Sequence, residues 1–182
     1  MFRTVRVVMT ALLAALAPLA VSAAPAAAAA CTAQGSGAVP GGYAVTIYCN
    51  GPGYIDGYGS TLADANAEAY ALYDIYVRTH VSCYGRGEGT IYGGYVVQLY
   101  CNGAGYLKSY GSTLTEAADE ARGLTDLYFA THRACTGFGG DSVPGSYFSI
   151  TLACSGGVGF VKGVGDTLTA AARAARLAAY TA

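Results

Sequence analysis

The chain has 182 residues, which is enough for one medium-sized domain or for several small ones. It contains 26 glycines and 16 tyrosines but no tryptophan, and its formal net charge is −1. Because 53% of the residues are hydrophobic and only 12% are charged, the composition excludes an intrinsically disordered chain. The lack of a basic excess argues against a nucleic-acid-binding protein.

The first 30 residues have the pattern of a secretory signal peptide followed by an alanine-rich spacer. Arg3 and Arg6 give a positively charged start, and residues 7–20 form an apolar stretch. Small residues at 21–23 offer a cleavage site, and the alanines of residues 24–30 offer others, so the exact cut stays open. We therefore predict that the protein is secreted and extracellular.

A membrane span and a lipid anchor are the two alternatives for this segment. A span needs about 20 apolar residues, and no such stretch follows later in the sequence. A bacterial lipid anchor on Cys31 needs leucine about three residues before the cysteine, where this chain has Ala28. A cleaved signal peptide is favoured over both, so we expect no membrane association after cleavage.

A threefold internal repeat is the clearest feature of the sequence. A cysteine recurs with a period of 52 residues, at Cys31, Cys83 and Cys135, and a second cysteine follows each, at Cys49, Cys101 and Cys154. Only Val81 and Ser82 separate His80 from Cys83, so we expect the repeats to pack on one another. The predicted organisation is a signal peptide and spacer at 1–30 and repeats at 31–82, 83–134 and 135–182, the last one truncated.

Each repeat has the pattern of three strands followed by a helix. In repeat 1, residues 31–39 form a weak strand, and residues 43–49 alternate apolar and polar side chains as a half-buried strand does. Asn50-Gly51 is the signal of a tight hairpin, and a third strand follows at 54–58. The turns between the first two strands are predicted at Pro40-Gly41-Gly42, Gly93-Gly94 and Pro144-Gly145.

A helix is predicted after Thr61 and after Thr113, because an acidic residue three positions later can complete a capping box. Repeat 3 has Thr167 followed by Ala170, so its box is incomplete. The side chains predicted to face the sheets are Leu62, Ala65, Ala69, Leu72 and Tyr76, then Leu114, Ala117, Ala121, Leu124 and Tyr128, then Leu168, Ala171, Ala175 and Ala178. The predicted fold class is α+β, with three tandem β-β-β-α repeats of about 52 residues, each an antiparallel sheet covered by one helix.

Six cysteines in an exported chain predict three disulfides, for which fifteen pairings are possible. The midpoint between the two cysteines of each repeat falls at the predicted turn, so the pair would face each other across the first hairpin. The repeat therefore favours one hairpin disulfide per unit, Cys31–Cys49, Cys83–Cys101 and Cys135–Cys154. No CxxC motif is present, so we expect neither a redox site nor a zinc site.

Motifs for catalysis, metal binding or cofactor binding are absent from the sequence. His80 and His132 share one repeat position just past a helix, where the helix dipole favours a histidine. Gly57-Tyr58-Gly59 precedes a helix but lacks the last glycine of a dinucleotide loop, so a tight turn is expected. The helix carboxylates are expected on solvated faces, at Asp64, Glu68, Asp74, Glu116, Asp119, Glu120 and Asp126. We expect a non-enzymatic protein without a cofactor.

The strand and helix order, ending in Gly-Ser-Thr and an alanine-rich helix, resembles the second half of double-stranded-RNA-binding domains. Those domains present lysines at the start of that helix, where this chain has Thr61, Leu62, Ala63 and Asp64. The residues that the resemblance would require for RNA are therefore missing, and we expect no nucleic-acid partner.

Tyrosines alternate on the strand face that points away from the helices. The predicted binding residues are Tyr48, Tyr54, Tyr58, Tyr100, Tyr106 and Tyr110. Repeat 3 has a diluted version of this face, with Ala153, Phe160 and Val164 at the matching places. Three interpretations stay open for the tyrosines: packing between repeats, a protein interface, and stacking against a glycan.

Taken together, these features predict a secreted, non-enzymatic bacterial protein that binds another macromolecule. Another secreted protein is favoured as the partner. The chain would then be a subunit or adaptor of an extracellular assembly, including one of toxin type, or an inhibitor of a secreted enzyme. The alternative is a glycan-binding or cell-wall-binding module that uses the aromatic face of its sheets.

Overall fold

The computed structural model describes residues 30–143 and 147–182. The predicted signal peptide and the predicted turn at Pro144-Gly145 lie outside the described residues. The elements of repeat 1 are β1 (Cys31–Val39), β2 (Gly42–Cys49), β3 (Gly53–Gly59) and α1 (Leu62–Thr79). Those of repeat 2 are β4 (Cys83–Ile91), β5 (Gly94–Cys101), β6 (Gly105–Gly111) and α2 (Leu114–Thr131). Those of repeat 3 are β7 (Cys135–Val143), β8 (Tyr147–Cys154), β9 (Gly159–Gly165) and α3 (Leu168–Thr181).

Each repeat forms its own antiparallel sheet, in which the three strands lie side by side in chain order. The helix of each repeat packs across the second and third strands of the same sheet. The predicted α+β fold of three tandem β-β-β-α units is therefore confirmed. The first strand of each unit starts at the first cysteine of that unit, at Cys31, Cys83 and Cys135.

One disulfide closes the first hairpin of each repeat at the end away from its turn. The two cysteines of each pair are direct partners in the strand register. The predicted bonds Cys31–Cys49, Cys83–Cys101 and Cys135–Cys154 are confirmed. Each bond closes a loop of 18 or 19 residues, for which chain entropy gives about 3 kcal/mol. Because a unit of this size has a small core, the cross-link is a large part of its stability.

The helix caps follow the sequence pattern. Thr61 Oγ1 accepts a hydrogen bond from the backbone N of Asp64 at 3.1 Å, and the Asp64 carboxylate accepts one from the backbone N of Thr61. Repeat 2 has the same box, whereas Thr167 caps the third helix alone. The first two helices end at His80 and His132, which both have a left-handed backbone with φ of 57°.

The helix of repeat 1 lies so close to β3 that a side chain on the strand has no room. A Cβ atom at Gly57 would collide with the backbone N of Ala69 and the carbonyl O of Ala65. Gly163 has the same relation to the third helix. Repeat 2 carries the buried Ser109 at this position, so its helix and sheet leave room for a small side chain.

Most of the predicted core positions on the helices are buried, Tyr76, Tyr128 and Ala178 are half-buried, and Leu62 is exposed. Its side chain is 48% exposed, whereas Leu114 and Leu168 at the same repeat position are 0% and 2% exposed. The prediction that Leu62 is buried is therefore wrong. The reason is that α2 and α3 also pack against the third strand of the preceding repeat, and the described residues contain no repeat before the first.

Two buried carboxylates join neighbouring helices by ion pairs. Glu68 of the first helix pairs with Arg122 of the second. Glu120 of the second helix pairs with Arg173 at 3.0 Å and with Arg176 at 2.9 Å of the third. The expectation that Glu68 and Glu120 lie on a solvated face is wrong, because the next helix covers them.

Hydrogen bonds at the helix starts form a second link between repeats. The backbone N of Ser60 donates to Thr115 Oγ1 at 2.8 Å, and the backbone N of Thr115 donates back to Ser60 Oγ at 3.2 Å. One repeat later, the backbone N of Ser112 donates to Thr169 Oγ1 at 2.9 Å. The starts of the second and third helices are therefore fixed against the strand end of the preceding unit.

The close contact at Gly57 makes a small substitution costly. We expect Gly57→Ala to lower the free energy of unfolding by about 1 to 3 kcal/mol, because the new methyl group overpacks the interface between β3 and α1. The matched change Ser109→Ala adds no atoms between the strand and the helix of repeat 2, so it should lower the free energy of unfolding by less than about 1 kcal/mol. Urea unfolding of the oxidised proteins measures the free energy of unfolding of both variants. Equal decreases for the two variants would contradict the close contact at Gly57.

Burial of Glu68 makes stability depend on pH. Burial raises the pKa of Glu68 to about 7 from its ordinary 4.5, the charge of Asp119 adds to the rise, and Arg122 opposes it. Because the folded protein binds this proton more tightly, the stabilising contribution is complete below pH 4.5 and is lost as the pH rises through 7. A pKa difference of this size corresponds to about 3 kcal/mol.

We therefore expect the free energy of unfolding of the wild type, relative to that of Glu68→Gln, to fall by about 3 kcal/mol across this pH range. Urea unfolding below pH 4.5 and above pH 7 measures the difference. Parallel pH profiles for the two proteins would contradict the assignment.

Candidate functional site

The structure divides the six tyrosines of the predicted binding face into two groups. Tyr54 and Tyr106 are 63% and 52% exposed, and Tyr48 is also exposed. Tyr100 is half-buried. Tyr58 and Tyr110 are buried, with 8% and 6% of their surface exposed. The first four are accessible to a partner, and the last two are not.

The accessible tyrosines form one pair in each of the first two repeats. Tyr48 and Tyr54 are cross-strand neighbours of β2 and β3, with ring centroids 5.1 Å apart and planes at 64°. Tyr100 and Tyr106 repeat this arrangement at 5.0 Å and 68°. Such edge-to-face pairs are favourable beyond the area that they bury, so each ring restrains its neighbour.

Repeat 3 has its own aromatic pair, which the sequence pattern did not indicate. Phe138 and Phe160 are exposed, and their ring centroids are 5.1 Å apart at 64°. Phe138 belongs to β7, and it pairs with Phe160 although Ala153 of β8 stands where the other repeats have a tyrosine. It follows Gly137 at a bulge in the strand register, which alternation along a regular strand does not predict. Repeat 3 thus keeps an aromatic pair although Ala153 stands where the other repeats have Tyr48 and Tyr100.

The same bulge position in repeat 2 holds Arg86. Its guanidinium carbon lies 5.1 Å from the ring centroid of Tyr84, and Tyr84 in turn lies 5.5 Å from Tyr100. A cation over a tyrosine ring is attracted by the ring electrons. The three pairs Tyr48–Tyr54, Tyr100–Tyr106 and Phe138–Phe160, which we call the exposed aromatic pairs, thus have different surroundings in each repeat.

Tyr58 and Tyr110 are buried because the next repeat covers them. The ring of Tyr58 lies over Gly85 of β4, where a Cβ atom would be 2.5 Å from the ring. Tyr110 lies over Gly137 of β7 in the same way. Burial, with a smaller contribution from Asp56 and Glu88, raises the pKa of Tyr58 to about 12. These two residues therefore pack between repeats, one of the three interpretations that the sequence left open.

The described part of the chain offers no metal centre, since residues 30–143 and 147–182 contain no group of three or more His, Cys, Asp or Glu side chains placed to hold an ion. None of the three described helices is long and apolar enough to cross a membrane. The two histidines lie edge-on to Tyr76 and Tyr128, with ring centroids 6.0 and 6.4 Å apart.

Comparison of the chain with protein-family models and with curated protein sequences gives no match. The fold and the site define a disulfide-linked α+β protein of three stacked repeats with an exposed aromatic pair on each sheet.

Tyr54 and Tyr58 lie on the same strand, but Tyr54 is accessible and Tyr58 packs between repeats. We expect Tyr58→Ala to lower the free energy of unfolding by about 3 kcal/mol or more, because removal of the ring leaves a cavity between repeats 1 and 2. Tyr54→Ala, four residues earlier on the same strand, should cost less than about 1 kcal/mol. Chemical unfolding of both variants gives the comparison, and a loss for Tyr54→Ala as large as that for Tyr58→Ala would contradict this division.

Proposed function

We propose that this chain is a secreted, non-enzymatic interaction protein that binds another secreted protein through the exposed aromatic pairs. The observation that carries the proposal is that the sheet of every repeat presents a pair of large aromatic side chains, all of them exposed except the half-buried Tyr100. Tyrosine is enriched among the residues that dominate protein–protein binding energy. An exposed tyrosine that its neighbour already holds in place loses less entropy on binding.

The threefold repetition supports a role in an assembly. Similar pairs on linked repeats can engage a partner at more than one point, and linkage raises the effective concentration of the second contact. A subunit or adaptor of an extracellular assembly, including one of toxin type, or an inhibitor of a secreted enzyme would use the pairs in this way. The different surroundings of the pairs, with Arg86 beside one and phenylalanines in another, would let each repeat contact a different part of the partner.

Secretion is part of the proposal. All six cysteines are paired, and disulfides persist in oxidising compartments outside the cytosol. The signal-like pattern of the first 30 residues supports the same localisation.

A protein partner is favoured over a glycan by the polar groups beside the tyrosines. Sugar recognition combines aromatic stacking with free hydrogen-bonding side chains. Next to the first pair, Thr46 Oγ1 already donates to the Asp56 carboxylate at 2.5 Å. One oxygen of this carboxylate is therefore already engaged within the sheet, and we keep the glycan as the outcome that the experiment below must separate.

The proposal is tested by capture from the native culture supernatant with the oxidised protein as bait. We expect one secreted protein to be retained in a stoichiometric amount, and Tyr54→Ala with Tyr106→Ala to reduce its retention at least about tenfold. Tyr92→Ala is the matched control, because Tyr92 is a highly exposed tyrosine outside the pairs. Mass spectrometry of the retained material gives the result.

Equal retention by the double variant, or no retained protein, would contradict the proposal. Sedimentation with purified cell wall that the double variant loses would instead support the glycan-binding alternative. The two assays together separate the two partner classes.

A further inference from the structure

The chain has only two lysines, and both lie on the sheet face that carries the exposed aromatic pairs. Lys108 of β6 and Lys162 of β9 share one repeat position, two residues after Tyr106 and Phe160. Because side chains two residues apart on a strand point to the same face, each lysine stands beside the second ring of its pair. Repeat 1 has Asp56 at the matching place.

Neither lysine takes part in an ion pair within residues 30–143 and 147–182. The four ion pairs found there all use helix arginines, which are Arg122, Arg173 and Arg176. The cross-strand partners of Lys108 and Lys162 are the neutral Gln98 and Thr151. Lys162 is exposed, and the half-buried Lys108 has a long stem that carries its ammonium group to water. Both charges are therefore available to a molecule outside the chain.

Lys108 stands where the second and third sheets meet. Its backbone N donates to Thr136 Oγ1 of β7 at 3.0 Å. Its carbonyl O would be 2.8 Å from a Cβ atom at Gly137, the residue before Phe138. The lysine therefore lies between the pair Tyr100–Tyr106 of one sheet and the pair Phe138–Phe160 of the next.

Arg86 adds a third cation to repeat 2. It is the exposed extra residue at the bulge of β4, and its guanidinium carbon lies 5.1 Å from the ring centroid of Tyr84. Tyr84, Tyr100 and Tyr106 are successive partners in the register, so their rings form a row across the sheet. We call Arg86, Lys108 and Lys162, together with the aromatic pairs of repeats 2 and 3, the basic aromatic face.

The two carboxylates on the described strands of repeats 2 and 3 lie away from this face. Glu88 of β4 is opposite the fully buried Val97, so alternation places it on the helix side of its sheet. Asp141 of β7 is opposite Ser149, which lies four residues, or about 13 Å, along β8 from the level of the aromatic pair. Because the whole chain has a net charge of −1, the three cations are a local concentration of positive charge.

We propose that the basic aromatic face binds an acidic segment of another secreted protein. Carboxylates of that segment pair with Arg86, Lys108 and Lys162, and its apolar side chains contact the aromatic pairs. The segment belongs to the partner of the proposed function, on which this inference rests. Complementary charges speed the encounter and reject partners of the wrong sign, so the cations supply specificity where the rings supply contact area.

A short acidic segment fits this face better than a long polyanion does. Asp56 occupies the lysine position in repeat 1, so the basic area ends where repeat 2 begins. In each edge-to-face pair, one ring covers part of the face of its neighbour, whereas a nucleobase stacks on a free ring face. Nucleic acid and anionic cell-wall polymers are therefore outcomes that the test must separate.

The test uses the two lysines as the only side-chain amines of the chain. The oxidised protein captures its partner from the native culture supernatant, and a water-soluble carbodiimide then joins lysine amines to carboxylates in direct contact, with loss of water. We expect mass spectrometry to find Lys108 and Lys162 joined to Asp or Glu residues of the retained protein. Raising the salt from about 0.1 M to about 1 M should lower retention several-fold, because the screening length falls from about 10 Å to about 3 Å.

Charge reversal separates the lysines from the rings. Lys108→Glu with Lys162→Glu should reduce retention at least about tenfold, because like charges then face each other. Lys108→Arg with Lys162→Arg keeps both charges and should keep retention within about twofold. Arg78→Glu is the control for net charge, since Arg78 is an exposed residue in the last turn of α1. Lys162→Glu alone, at an exposed position, should keep the wild-type unfolding curve and still weaken retention at least about threefold.

Equal retention by the wild type and the double lysine-to-glutamate variant, without cross-links from the lysines to the partner, would overturn this inference. If Tyr54→Ala with Tyr106→Ala still released that partner, the proposed function would stand, so the two failures are distinguishable. Absence of any retained protein would overturn both.

Three further results would assign the face to another ligand and would also overturn the inference. They are binding of single-stranded oligothymidine that the double lysine-to-glutamate variant loses, sedimentation with purified cell wall that this variant loses, and lysine cross-links to a second copy of the chain.

Discussion

The insertion of one tyrosine ring from each repeat over a glycine of the next is the contact on which the stack depends. Tyr58 lies over Gly85 and Tyr110 lies over Gly137, and a side chain at either glycine would occupy the space of the ring. The buried ion pairs and the hydrogen bonds at the helix starts then fix the orientation of the joined units. A unit of about 50 residues buries too little surface to be comfortably stable alone, so each repeat needs both its disulfide and its neighbour.

Local features of this fold could be predicted from the sequence because neighbouring residues determine them. Hairpin turns, helix caps and the pairing of cysteines across a turn all act within one repeat, and the structure confirms them in repeat 1 and repeat 2. The exposure of Leu62 and the burial of Glu68 depend on whether another repeat lies beside them. The residue pattern within one repeat does not show whether another repeat lies beside it. The tyrosines are a second example. Alternation placed Tyr54 and Tyr58 on one face, but only the path of repeat 2 decides which of them is covered.

The joints between repeats have a fixed direction. The carboxylate always comes from the earlier helix and the arginines come from the later one, as Glu68 with Arg122 and Glu120 with Arg176 show. The two ends of the stack consequently present different surfaces, an open apolar groove at one and the exposed Val164 at the other. A protein with two unlike ends can hold two unlike partners, which suits the interaction role proposed for it.

The same direction decides how such a protein can change its length over evolution. Among the described repeats, only repeat 2 contacts a neighbour on each side. Its Thr115 and Arg122 contact repeat 1, and its Tyr110 and Glu120 contact repeat 3. A tandem duplication of residues 83–134 would give a fourth unit whose contacts on both sides already exist in the chain. Duplication of repeat 1 or repeat 3 would place Ala63 or Ala174 inside a new joint and leave it without its polar partners. Lengthening the stack from its middle would therefore reuse existing contacts, whereas lengthening it from either end would not.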